Sequence, residues 1–324
     1  MVGSRRVIQK MVNTLNPALT VIIPVLNGMP YLPEMLASLE AQTFRDFTIL
    51  LWDNGSTDGT AEEAQQWIPS RLPGRVVSSD PLPLHECLAR MVEESATEYC
   101  ARMDADDICF PDRFRIQMGF MREHPDIDLV GTQIECIDAA GTKLPKEEWA
   151  KYPLFHDEIV SRLMILCPFN HPSILFRRKA ILQAGNYSVP SPVEDLNLYL
   201  HLVRQSRVAN LSETGLQYRI HPQSICAVAK VDNHHETLAR ESLVRVASSV
   251  FGISGDVFER LRRKEYAPSI IPMLKVAWHI SNHHLPHLQN MITSPVFLYS
   301  ALCMTSSDDC FSKCIYKILK MSKS

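Results

Sequence analysis

The run Leu19-Thr20-Val21-Ile22-Ile23-Pro24-Val25 limits most what this chain can fold into. It is apolar almost without interruption, rich in β-branched residues, and breaks at Leu26-Asn27-Gly28. A run that does not alternate with polar residues reads as a strand buried on both faces. Such a strand needs helices on both sides of its sheet. The next segment offers one, with Leu32, Met35, Leu36 and Leu39 on a single helical face. Residues 47–52 read as a second strand, ending in the turn and cap formers Asp53-Asn54-Gly55-Ser56-Thr57-Asp58-Gly59-Thr60. A helix over 61–67, a strand at 76–78, a helix over 84–94 and a strand at 99–103 follow. A helix over 113–123 is then stopped by His124-Pro125. Strand and helix alternate, which implies parallel βαβ units in a sheet covered on both faces.

The second half is less regular. Residues 129–137 read as paired β-structure ending at a Gly141 turn, 159–165 as helix and 173–176 as strand. A helix begun near Glu194 runs over 196–203, 216–220 is a last strand, and from about residue 230 the pattern is mainly helical. The expected organisation is an N-terminal extension (1–18), one α/β domain (19–228) and a helical C-terminal region (229–324).

Ligands of such sheets bind outside the carboxyl ends of the strands, so the loops near Asn27, Asp53 and Asp104 are expected to converge. The third carries Asp104-Ala105-Asp106-Asp107 straight after a strand. With side chains alternating at period two, Asp104 and Asp106 point the same way. Carboxylates held this close repel unless a cation sits between them. A hard divalent ion, Mg²⁺ or Mn²⁺, is the usual partner and often accompanies a phosphate-bearing substrate. A solvated acidic turn that caps the next helix is the alternative. Glu194-Asp195 opens a helix, where a carboxylate can take a proton from an attacking hydroxyl, or can simply favour the helix macrodipole. Arg219 and His221 flank the end of the last strand; a guanidinium suits a diphosphate and an imidazole suits a metal, while a lone His is as often structural.

The bulk properties exclude several classes. A formal net charge of −3 gives no electrostatic footprint for nucleic acid. Nine scattered cysteines without a Cys-x-x-Cys pair argue against a zinc ribbon or a thioredoxin-type centre, and several lie in apolar runs as small core residues, which points to a reducing compartment. No apolar run is long enough to span a bilayer, and residues 1–16 do not read as a secretory signal. His279, His283, His284 and His287 read as a polar helix face rather than a metal site. Residues 311–321 form a basic amphipathic stretch that suits either an anionic membrane surface or packing on the main domain.

Several pieces, in this order, resemble the family 2 inverting glycosyltransferases of the GT-A fold, of the bacterial polysaccharide and lipopolysaccharide type. They are Val21-Ile-Ile-Pro-Val-Leu-Asn27-Gly28, Ser38-Leu-Glu-Ala-Gln42-Thr43, Trp52-Asp53-Asn54-Gly55-Ser56-Thr57-Asp58 and Ala101-Arg102-Met103-Asp104-Ala105-Asp106-Asp107 with Pro111-Asp112-Arg113-Phe114. His171-Pro172-Ser173, Glu194-Asp195-Leu196 and Tyr218-Arg219-Ile220-His221 complete the set. The resemblance implies a mixed, mainly parallel α/β sheet, a nucleotide-sugar donor (usually a UDP-sugar) and one Mn²⁺ or Mg²⁺. It puts the metal on Asp106, with His221 reaching the metal or diphosphate, and Asp104 near the ribose or an outer coordination position. It puts the nucleobase on Asp53, beside Asn27 and the backbone near Val25. Arg102 and Arg219 join the donor-contacting set, and Asp195 matches the catalytic base with Glu194 supporting it or touching the donor sugar. Asp107 is expected to cap the following turn, Asp58 to cap the next helix or bind Arg102, and His171-Pro172 to start a strand that shapes the wall of the site.

The implied acceptor is a glycan or lipid-linked glycan, which suits a cytoplasmic protein attached peripherally at the inner face of the membrane through 311–321. Three departures touch donor-sugar contacts: Ala89 stands where the family often has Asn, Thr97 where Gly is usual, and Pro81-Leu82-Pro83-Leu84 replaces a Gly-rich lead-in. A sugar nucleotidyltransferase shares a related sheet but needs a Gly-rich, basic loop after the first strand, and Val25-Leu26-Asn27-Gly28-Met29-Pro30 has no basic residue. A non-catalytic nucleotide-sugar-binding protein is the other alternative, and Asp104, Asp106 and Asp195 count against it.

Overall fold

A computed structural model describes residues 17–146, 151–163, 167–188 and 194–224, together with Glu241 and Val244. The readings of 1–16, of the C-terminal helices, of the histidine group at 279–287 and of 311–321 lie outside the described residues. By internal contacts the chain divides into two compact units. The first takes the described residues of Met1–Tyr152, Phe169–Pro190 and Asn210–Val228, and the second those of Pro153–Pro168, Ser191–Ala209 and Ala229–Ser324.

The first unit begins with β1 (Leu19–Val25), buried at every position. It is followed by α1 (Leu32–Glu40), β2 (Phe47–Asp53), α2 (Thr60–Trp67), β3 (Gly74–Ser78), α3 (Leu84–Glu94) and β4 (Tyr99–Arg102). β1 lies between β2 and β4 and pairs with both in parallel, and β3 adds a parallel edge to β2. Being flanked on both edges and covered on both faces is what its unbroken apolar sequence requires. Leu32, Met35, Leu36 and Leu39 of α1 and Cys87, Leu88, Met91 and Val92 of α3 are buried in the layers that cover the sheet. Each such side chain contributes about 1.5–3 kcal/mol by leaving water. Cys87 and Cys100 are free, buried thiols, and burial pushes them up to about 12 and about 11, so both are core residues without thiolate chemistry.

After β4 come β5 (Ile108–Cys109), α4 (Arg113–Glu123), β6 (Ile127–Ile137), β7 (Leu175–Arg177), α5 (His156–Leu163, before β7 in the chain), α6 (Arg178–Gln183), α7 (Glu194–Leu202) and β8 (Arg207–Arg219). Among the described residues the sheet has eight strands in the order β3-β2-β1-β4-β7-β6-β8-β5. β7 pairs antiparallel with β4 and β6, and β5 antiparallel with β8. The sheet is mixed, with the long parallel ladders in the half that carries β1. α5 and α7 belong to the second unit, where the His156 ring accepts the Val208 N–H at 3.3 Å.

Three expectations are corrected. The strand expected at 173–176 starts only at Leu175, because His171–Ser173 form a 3₁₀ turn; Pro172 has no N–H to give to a ladder, and the Ser173 hydroxyl donates to the Asn170 carbonyl at 2.8 Å. His171-Pro172 therefore precedes a strand rather than starting one. The last strand is far longer than 216–220, since the polar stretch Ser212-Glu213-Thr214-Gly215 hides its first half from a hydrophobicity reading.

Candidate active site

The register of the parallel strands sets the site. Val25 lies opposite Asp53, and Ile22 opposite Arg102, so three strand ends open side by side. The Met103 N–H donates to the Ile22 carbonyl at 3.1 Å, carrying the acidic segment alongside the end of β1. Gly28 fits the turn after β1 because a Cβ there would lie 2.6 Å from Val25 Cγ2. The three loops expected to converge do so.

Oxygens of Asp104, Asp106 and Asp107 all lie within 4.8 Å of one another. Asp104 Oδ2 pairs with Arg102 Nη1 at 2.5 Å, and Arg102 is buried. Burial opposes the guanidinium charge, but the Asp104 carboxylate more than offsets it and holds Arg102 charged. Asp106 Oδ2 lies 2.8 Å from His221 Nε2. Asp107 is not the cap expected of it. It is buried at 1 % exposure, and its Oδ1 accepts the Arg219 N–H at 2.8 Å, because β5 pairs with β8 and brings that strand end alongside. Its Oδ2 is buried without a hydrogen-bond partner. Burial, then the neighbouring charges of Asp106 and Asp104, push the Asp107 carboxyl well above its ordinary range.

Arg219 is held as a clamp on the acidic loop. Its Nε donates to the Asp106 carbonyl at 2.8 Å, Nη1 to the Asp138 and Ala139 carbonyls at 3.3 and 3.2 Å, and Nη2 to Glu34 Oε2 at 2.5 Å. The guanidinium carbon also lies 4.7 Å from the centre of the Tyr31 ring. Tyr31 and Glu34, at the start of α1, are not legible in the sequence as site residues; nothing in their pattern distinguishes them from helix-start residues.

The loop after β1 and the loop after β2 are tied into one body. The Asn27 N–H donates to Ser56 Oγ at 2.8 Å, and the Thr57 N–H donates to Asn27 Oδ1 at 2.9 Å. Asn27 has φ +53°, a conformation Asn tolerates better than most residues. Asp58 resolves to the cap: Oδ1 accepts the Thr60 N–H and hydroxyl, Oδ2 accepts the Met29 N–H, and Arg102 pairs with Asp104 instead. Asp53 is buried, and its Oδ1 accepts the Ser56 N–H at 3.1 Å. Ser38, Gln42 and Thr43 hold the segment after the acidic cluster: the Cys109 N–H donates to Ser38 Oγ, Gln42 Nε2 to the Phe110 carbonyl, and the Thr43 N–H to the Pro111 carbonyl.

A second buried layer lies beneath the cluster. Arg113 Nε donates to Gln117 Oε1 at 3.0 Å, and Nη2 to the Arg102 and Ile174 carbonyls at 2.9 and 3.3 Å. Gln117 Nε2 in turn donates to the Val130 and Ser173 carbonyls. His171 Nε2 lies 2.8 Å from the Tyr187 hydroxyl. Burial, then the Arg102 charge, pulls the His171 imidazole well below its ordinary range and keeps it neutral.

Glu194 and Asp195 occupy the first turn of α7 in the second unit. Asp195 Oδ1 accepts the Leu196 N–H at 2.7 Å, and the Cys167 thiol donates to Oδ2 at 3.6 Å.

The sequence profile described as Glycosyl transferase family 2 matches residues 20–185, which hold β1 to β7 and the whole acidic cluster. The chain belongs to glycosyl transferase family 2 and is a glycosyltransferase. It is 32 % identical over 191 residues to the amylovoran biosynthesis glycosyltransferase AmsE of Erwinia amylovora, a match covering 58 % of this chain and 70 % of AmsE. Its fold resembles that of S. aureus TarS 1-349 in complex with UDP-GlcNAc (TM-score 0.58, 14 % identity, 94 % of this chain and 91 % of that one). Against the longer TarS chain the match spans 54 % of that chain. It also resembles the mannosyltransferase PcManGT of Pyrobaculum calidifontis in complex with GDP-Man and Mn²⁺ (TM-score 0.56, 14 % identity, 95 % and 86 % covered). The likeness to these structures is one of fold: a GT-A-like α/β sheet.

For a family 2 glycosyltransferase the donor set at the β4 end is chemically suited to a hard divalent ion. Carboxylate oxygens and one imidazole nitrogen gather there, and Asp107 Oδ2 is buried in the cluster without a hydrogen-bond donor from the protein.

Proposed function

We propose that this glycosyltransferase is inverting and metal-dependent, and moves a sugar from a UDP-linked donor to a hydroxyl of a glycan or lipid-linked glycan. The observation that carries the reading is the Asp106–His221 contact of 2.8 Å inside a three-carboxylate cluster at the end of a central strand. Asp106 and His221 would hold Mn²⁺ or Mg²⁺, with Asp104 toward the ribose. When bound, such an ion neutralises charge developing on the departing diphosphate. PcManGT in complex with Mn²⁺ supports the ion, and TarS in complex with UDP-GlcNAc supports a UDP donor.

The remaining roles fall to the chain. Asp53, with Asn27 and the Val25 backbone, receives the nucleobase at the β1–β2 edge. Arg102 holds Asp104 in place. Asp195 takes the proton of the attacking hydroxyl, with Glu194 beside it in sequence. The new bond from acceptor oxygen to anomeric carbon forms as the bond to the phosphate oxygen breaks on the opposite face, and the nucleoside diphosphate leaves with the electron pair. An α-linked donor then gives a β-linked product. A lipid-linked acceptor suits peripheral attachment through 311–321 at the cytoplasmic face, and deletion of 311–324 would then release the chain from anionic vesicles.

A donor screen that reads nucleotide release with Mn²⁺ or Mg²⁺ tests this reading. Release from a UDP-sugar that requires the ion, and falls about 100-fold or more in Asp106→Ala, is expected. Equal release in chelator rejects metal dependence, and release confined to another nucleotide rejects UDP.

A further inference from the structure

Four side chains close a ring around the acidic loop. Asp106 Oδ2 meets His221 Nε2 at 2.8 Å. The His221 ring meets the Tyr31 ring with centroids 4.9 Å apart and planes tilted by 47°. The Tyr31 ring lies 4.7 Å under the Arg219 guanidinium. Arg219 Nε returns to the Asp106 carbonyl at 2.8 Å. Glu34 Oε2 anchors the ring from outside, at 2.5 Å from Arg219 Nη2.

We propose that Tyr31, the N-cap of α1, and Glu34 in its first turn are positioning residues that hold His221 against Asp106 in the orientation a divalent ion needs. The inference rests on the reading of Asp106 and His221 as metal ligands, and goes beyond it by assigning the support to a helix that carries no ligand. His221 follows β8 by two residues and stands beside the exposed Ile220. Among the described residues its Nδ1 meets the neighbouring Gln223 side chain at 3.2 Å, a local contact that does not by itself fix the ring about χ1 and χ2. The Tyr31 face packs against the ring and restricts its turning. Tyr31 is held in turn by the cation above it, and that cation by the Glu34 carboxylate and three backbone carbonyls. Groups that fix the orientation of a metal-binding imidazole without touching the metal commonly set its affinity.

The test is Mn²⁺ alone titrated calorimetrically into the full chain, for the wild type and for Asp106→Asn, Tyr31→Leu, Tyr31→Phe and Glu34→Gln. Wild type is expected to bind one Mn²⁺ and Asp106→Asn to lose it. Tyr31→Leu is expected to weaken Mn²⁺ by about tenfold, Tyr31→Phe to bind like wild type because the contacts use the ring face, and Glu34→Gln to weaken binding in the same direction. Wild-type affinity in both Tyr31→Leu and Glu34→Gln, with Asp106→Asn still defective, overturns the positioning role and leaves the ligand assignment standing. Equal loss in Tyr31→Phe and Tyr31→Leu overturns the ring-face account. Binding unchanged by Asp106→Asn, or absent from wild type, overturns the metal reading and this inference with it. Glu34 is half-exposed and Tyr31→Phe is nearly isosteric, so both variants keep the test open if Tyr31→Leu fails to fold.

Discussion

His171 Nε2 and the Tyr187 hydroxyl stand 2.8 Å apart in a pocket where both residues are buried, at 8 % and 2 % exposure. The imidazole is held neutral by burial and by the nearby Arg102 charge, so its folded pKa lies well below its unfolded one. The unfolded chain therefore takes up a proton that the folded chain refuses once the pH drops below about 6.5. Stability is full above that pH and falls as the solution is acidified toward the folded value. His201 is depressed in the same direction by burial and by Arg204, and adds to the same slope. The thermal midpoint is expected to fall between about pH 7.5 and 5.5, and to fall less steeply in His171→Gln. Parallel slopes for the two proteins would remove His171 as the source.

The parallel half of the sheet was legible because burial on both faces leaves a mark that needs no context. β1, α3 and α4 fall where the apolar pattern puts them. β5 was not legible: two residues following three carboxylates carry no periodicity, and the strand exists because β8 pairs with it. That pairing is also why Asp107 faces Arg219 rather than the next turn. Position and residue type single out Asp53, Asp104, Asp106 and His221 as candidates, and the structure puts Asp104 and Asp106 in one cluster with His221 against Asp106. Arg219 was read for its charge, and its actual partners, carbonyls 80 and more residues away, belong to tertiary structure alone.

Asn54 gives a second prediction. Its side chain pairs with the backbone of one residue in the loop before α3, donating to the Leu82 carbonyl at 2.8 Å and accepting the Leu82 N–H at 2.9 Å. Next to it Gly55 has φ +88°, and a Cβ there would meet the Pro81 ring at 2.9 Å. The proline lead-in that departs from the family pattern is thus a brace for the loop that carries Asp53. Asn54→Ala leaves both Leu82 groups unpaired and is expected to cost about 1–3 kcal/mol in urea unfolding. If the brace holds Asp53 for the donor, KM for the donor rises more than kcat falls. A variant that unfolds like wild type, with unchanged KM, would show that the brace is idle.

Arg113 gives the third. A fully buried guanidinium bonded to carbonyls and an amide is costly to place and costly to remove. Arg113→Met keeps much of the volume but strips donors from the Arg102 and Ile174 carbonyls and frees Gln117, which links Val130 to Ser173. A loss of about 3 kcal/mol is expected in equilibrium unfolding, with Arg113→Lys recovering only part of it because an ammonium lacks the planar fork. Full recovery by Lys would mean that charge, not the fork, matters at this position.

Asp195 separates binding from transfer. It stands in the first turn of α7, with Oδ1 on the Leu196 N–H at 2.7 Å and Oδ2 near the Cys167 thiol at 3.6 Å. Asn keeps the shape and the Oδ1 acceptor, so the helix start survives in Asp195→Asn while the basic oxygen is gone. If the carboxylate takes the acceptor proton, the variant binds a UDP-sugar within about twofold of wild type and transfers about 10²–10⁴ times more slowly. A purely structural Asp195, serving only the helix start, predicts a lower thermal midpoint in Asp195→Ala and near-normal transfer in Asp195→Asn. Donor binding by calorimetry, transfer by nucleotide release and a thermal melt on the same samples distinguish the two roles, and near-normal transfer in Asp195→Asn removes the base assignment.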